Sequence, residues 1–140
     1  MVDDSKFFEA AQALAQSLSQ WDLLIIAGSL VVIVSTSYYR PDTRRMRAAY
    51  LLFLPAWCFL ALSIYQGIKV QGSYVAYLVA SRGTQVNHAT INQIALGMED
   101  ATRRQIQGLE VALLCLALWL LIYISWWVFA EKPSQGGDGR

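Results

Sequence analysis

Charged residues vanish from three stretches of this chain, residues 23–39, 48–68 and 111–130, which hold no Asp, Glu, Lys, Arg or His over 17, 21 and 20 positions. A helix needs about 20 apolar residues to cross the roughly 30 Å hydrocarbon core of a bilayer. Backbone groups in hydrocarbon must satisfy one another, so each stretch is predicted to be a membrane-spanning helix. The expected fold class is an all-α integral membrane protein with three transmembrane helices.

The segments between the spans are patterned as well. Within residues 1–22, Phe7, Phe8, Ala11, Leu14, Ala15 and Leu18 recur at spacings of three and four, while Asp4, Glu9, Gln12, Gln16 and Gln20 are polar, which predicts an amphipathic helix. Such a helix either lies on the membrane surface or packs against protein; few bases on its polar face argue against an anionic-membrane peptide. Between the second and third spans, residues 74–80 form a short apolar run broken by Ser81, Arg82 and Gly83. Farther on, Ile91, Ile94, Met98, Ala101, Gln105 and Leu109 keep helical spacing, with Gln105 the polar exception. Thr90 and Gln93 match a capping box, so a helix is expected to start near Thr90.

No proline follows until Pro133, and only Gly97 and Gly108 lower the helical propensity. One helix of about 40 residues, roughly 60 Å long, is predicted to run from outside the bilayer through the third span. Its external stripe needs cover. The candidates are the helix of residues 7–18, the segment 74–80, or the same helix from another subunit.

Charge sets the orientation. Arg40, Arg44, Arg45 and Arg47 crowd the loop 40–47 with Asp42 as its only acid, which places that loop on the cytoplasmic side. The N-terminus and the connector 69–110 then face out. The tail 131–140, with Pro133, Gly136, Gly137 and Gly139, lies in the cytoplasm and is expected to be disordered. Asp3, Asp4, Glu9 and Asp22 against Lys6 do not resemble a cleavable signal, so the first span is read as retained. A bacterial inner membrane is the simplest setting. Trp21, Tyr38, Tyr39, Tyr50, Trp126 and Trp127 stand near span ends, where amphipathic rings favour the headgroups. Trp57 and Trp119 lie deeper, and their indole N–H groups need a partner or a tilt toward an interface; they are read as core or lipid-facing packing ahead of ligand contact.

Composition agrees: 56% of residues are hydrophobic, 15% are charged, and mean hydropathy is +0.37. With 140 residues, little chain remains for an independent soluble enzyme. His88 is the only histidine, Cys58 and Cys115 fall inside spans as small apolar packing residues, and neither metal-ligand spacing nor a P-loop is present. Ser81 lies seven residues from His88 without a specified orienting group, a poor basis for a nucleophile and base. No cofactor and no nucleic acid is implied.

Weaker candidates remain. Ser29 and Thr36 in the first span and Ser63 and Gln66 in the second line a pore or bond neighbouring helices; Ser35 and Ser37 read the same way. Ala27, Gly28 and Ser35, with Val31 between them, offer a small surface for close helix contact, as do Ala56 and Ala61 near Pro55, where a kink is expected. Ile91, Ile94 and Met98 are candidate packing residues of the external stripe. The four arginines contact anionic headgroups or an acidic partner, or only orient the chain. These features favour a non-catalytic membrane protein acting through assembly, either a self-associating scaffold or an accessory subunit. A homo-oligomeric pore is the alternative, and a small intramembrane enzyme stands third.

Overall fold

The computed structural model describes residues 4–37, 48–82 and 88–129, and among these every regular element is helical. Helix α1 covers Asp4–Ser37, a 3₁₀ turn covers Tyr50–Leu52, α2 covers Phe53–Ser81 and α3 covers His88–Phe129. All three helices are long and apolar enough to cross a membrane. At 34, 29 and 42 residues they measure about 51, 44 and 63 Å.

These lengths exceed the spans read from the pattern. Residues 4–37 form one uninterrupted helix that joins the N-terminal segment to the described part of the first predicted span, and the run 74–80 belongs to α2 rather than to a separate element. The boundary at residue 22 is not a break in the helix, since no proline or glycine interrupts the backbone there. The long third helix forms as expected and passes through Gly108. It starts at His88, so Thr90 lies inside its first turn rather than at a capping position.

Pro55 falls in the first turn of α2, where a missing N–H costs no intrahelical bond. The backbone before it tightens into the 3₁₀ turn, with Ala49, Leu52 and Phe53 all in the right-handed helical region. Residues 38–47 and 130–140, which contain the expected loop 40–47 with Arg40, Arg44, Arg45 and Arg47 and the expected tail 131–140, lie outside the described residues.

Interhelical contacts set the topology. Asp22 meets Ser63, Ser29 meets Trp57 and Phe8 stacks on Tyr77, so α1 and α2 are antiparallel. Phe53 meets Trp119 and Gly108 meets Phe59, which makes α2 and α3 antiparallel too. The interface of α1 with α3 is the thinnest of the three.

One apolar cluster joins Phe8, Ala15, Val70, Met98 and Ala101, with Tyr74, Tyr77, Ile91 and Ile94 packed around it. Phe8 and Tyr77 stack with centroids 3.9 Å apart. The stripe that starts at Ile91 is thus packed within the chain against both of its intramolecular candidates, the helix of residues 7–18 and the segment 74–80. A second cluster at the other end joins Ala49, Phe53 and Trp119, with Ile33, Tyr50, Trp57 and Tyr123 against it.

Candidate functional site: a polar node where the helices meet

Between the two apolar clusters the bundle interior turns polar. Asp22, Ser63 and Gln105, one from each helix, are all fully buried. Polar groups that far from water are favoured to pair, because leaving one unpaired costs about 1–3 kcal/mol. The Ser63 hydroxyl stands 2.7 Å from Asp22 Oδ2 and 3.0 Å from the Gln105 main-chain oxygen. The Gln105 amide nitrogen donates to the Ala15 carbonyl at 3.0 Å and to Ser19 Oγ at 3.2 Å. Ser19 in turn donates to the Ala15 carbonyl at 3.0 Å.

Two glycines let the helices approach closely enough for these contacts. A Cβ on Gly67 would stand 2.6 Å from Ser19 Oγ and 2.8 Å from Gln105 Nε2. A Cβ on Gly108 would stand 3.1 Å from the Phe59 carbonyl oxygen and 3.3 Å from Ser63 Cβ. The second contact is with backbone and has no rotamer that relieves it. Small residues at such crossings are what membrane helices use to bring polar groups within bonding distance.

The node's hydrogen count is informative. Ser63 has one hydroxyl hydrogen for two acceptors. Either that hydrogen is shared between them, or Asp22 carries a proton, donates it to Ser63 and leaves Ser63 to donate to Gln105. Among the described residues Asp22 Oδ1 and Gln105 Oε1 have no hydrogen-bond partner. The node can therefore hold three helices in register and accept further donors.

The node also lies at a boundary of composition. Residues 23–37, 48–62 and 111–129, on the Phe53 side of it, contain no charged residue and no histidine. On α3 this stretch is 19 residues, about 28 Å, close to one hydrocarbon thickness. Lys69, Glu99, Asp100, Arg103 and Arg104 lie on the other side, where Asp100–Arg104 at 3.0 Å and Glu99–Arg103 at 3.8 Å form exposed i,i+4 pairs.

Of the residues singled out in the sequence, Ser63 and Gln66 are buried inside the helix bundle. Ser29 is buried as well; its hydroxyl donates to the Ile26 carbonyl at 2.7 Å and accepts from Trp57 Nε1 at 2.8 Å. Thr36 bonds back to the Val32 carbonyl at 2.8 Å. Met98 is fully buried, Ile91 and Ile94 are half-buried, and Ala27, Gly28 and Ser35 are exposed. Cys58 and Cys115 are free thiols. Among the described residues no three His, Cys, Asp or Glu side chains gather.

Sequence reasoning missed Asp22, which reads as one more acid ahead of a span, and it missed the packing role of Gly67. It did mark Gln105 as the polar break in an apolar stripe. That break was the legible signal of the node. Compared with family models, with curated proteins and with solved structures, the chain matches none.

Proposed function

We propose that this protein is a non-catalytic membrane subunit that works through assembly, as a self-associating scaffold or as an accessory subunit of a larger membrane complex. The reading includes a bacterial inner membrane, with the N-terminus outside and the C-terminus in the cytoplasm. Arg40, Arg44, Arg45 and Arg47 on the inner side would add attraction to anionic headgroups, at about 1 kcal/mol for each well-placed cation.

The observation that carries the proposal is the stripe of Leu24, Ala27, Val31 and Ser35 on α1. These residues share one helical face, are exposed, and lie in the charge-free half of the bundle. Membrane helices associate through such faces, where small side chains let backbones come close. The external stripe, by contrast, is covered within the chain and supplies no drive for association. A shallow apolar groove of about 460 Å³ between α1 and α3, lined by Phe7, Leu14 and Ile106, adds a second surface suited to a neighbouring chain. The pore alternative has less support, because Ser29, Ser63 and Thr36 bond within the protomer.

Native mass spectrometry of particles extracted directly into lipid nanodiscs tests the proposal. The wild type is expected to carry several copies, or a stoichiometric second protein. Ala27→Trp with Ser35→Trp should strip the particle to one copy while leaving its thermal midpoint in place. A wild-type particle holding a single copy and no other chain would overturn it.

A further inference from the structure

We infer that the seam between α2 and α3 holds one phospholipid with a zwitterionic headgroup, seated where the bundle leaves the hydrocarbon. Two hollows of about 450 Å³ each lie on this seam and share Gln66 and Arg104. They continue one another as a single furrow. Phe59, Leu62, Gln66, Lys69 and Ser73 follow at spacings of three and four along α2, and Gly97, Ala101, Arg104, Gly108 and Val111 do so along the antiparallel α3. At the outer end Gly72 and Gly97 leave room, since a Cβ on either would meet nothing within 4 Å.

The side chains along the furrow change character in one direction. Phe59, Leu62 and Val111 form the end in the charge-free half. Gln66 comes next and lines both hollows. It is only 6% exposed, yet its amide makes no hydrogen bond among the described residues and neither amide atom is sealed inside the bundle. Buried amides normally find a partner, so this one has donors and an acceptor to offer an occupant. Beyond it stand Lys69, Asp100 and Arg104. Arg104 pairs with Asp100 at 3.0 Å, whereas Lys69 stands over the Tyr65 ring at 4.9 Å and meets no carboxylate among the described residues. Seven residues separate Val111 from Arg104, about 10 Å, which brings the guanidinium to the headgroup layer.

Apolar wall, amide, cations and carboxylate follow in the order in which a phospholipid presents its chains, ester carbonyls, phosphate and ammonium. Basic clefts between membrane helices hold lipid phosphates in this way. The charges lining the furrow balance, Lys69 and Arg104 against Asp100 and Glu110, so a headgroup carrying both signs fits better than a net anion. A free phosphate would leave the apolar end empty. The inference does not depend on how copies of the chain assemble.

The full-length protein, delipidated in detergent, is titrated with palmitoyl-oleoyl phosphatidylethanolamine, the matching phosphatidylglycerol, the matching diacylglycerol and chainless glycerophosphoethanolamine, and bound copies are counted by native mass spectrometry. Phosphatidylethanolamine is expected to saturate at one per chain and to bind more tightly than the other three. Lys69→Gln should weaken it about tenfold, the worth of one charged hydrogen bond. Gly97→Leu fills the headgroup end and should abolish saturable binding. Both positions are exposed, so the lipid-free variants should keep at least the wild-type thermal midpoint, which separates loss of the site from loss of the fold. Binding without saturation, equal or tighter binding of any of the other three probes, or binding unchanged in both variants would overturn the inference.

Discussion

Ser63 sits between two acceptors with one hydrogen to give, and that count makes Asp22 the residue to test. If the carboxyl carries the proton, Asp22→Asn replaces an O–H donor with an N–H donor and every contact survives. The variant is then expected to match or exceed the wild-type thermal midpoint in detergent. Ser63→Ala strands both Asp22 oxygens and should cost about 1–3 kcal/mol. A fall in Asp22→Asn as large as in Ser63→Ala would show instead that the node holds a charge. Neither residue's importance can be read locally, because Asp22 and Ser63 lie 41 positions apart and meet only when the helices cross.

Among whole elements the glycines differ by what lies over them. A Cβ added at Gly67 or Gly108 would crowd a neighbouring helix at less than van der Waals separation, whereas one at Gly28, Gly72 or Gly97 would meet open space. Propensity alone ranks them equally, since any helical glycine costs about 0.5–1 kcal/mol relative to alanine. Packing reverses the sign at one site. Gly97→Ala is expected to stabilise α3 by up to about 1 kcal/mol, and Gly108→Ala to destabilise the bundle by about 1–3 kcal/mol through overpacking. Equal effects at both positions, in thermal or denaturant unfolding, would show that the close approach of Gly108 to Phe59 has no energetic weight.

For the molecule as a whole, closing the external stripe within one chain changes what a charge placed there would do. Met98 is fully buried against Phe8, Ala15 and Val70, so Met98→Asp puts an unpaired carboxyl into a monomer core. The expected cost is at least about 3 kcal/mol, and it should be independent of protein concentration because no subunit contact is involved. Insertion should persist, since residues 111–130 are untouched. Unfolding that shifts with concentration would return the stripe to an interface between copies.

The division between pattern and tertiary contact follows from range. Three apolar runs free of charge, the helical spacing from Ile91 onward and the absence of proline between there and Pro133 are local properties, and they already dictated helices throughout the described residues, three of them long and apolar enough to cross a membrane and one of unusual length. Hydrocarbon leaves the backbone no other solution. Only the folded bundle decided that α1 and α2 extend past the spans without a break, that Phe8 and Tyr77 cover the external stripe, and that Asp22, Ser63 and Gln105 meet. Periodicity shows which face of a helix is apolar. It does not say which other helix meets that face, because that choice depends on crossing points set by Gly67 and Gly108 and on polar groups that must find one another once water is gone.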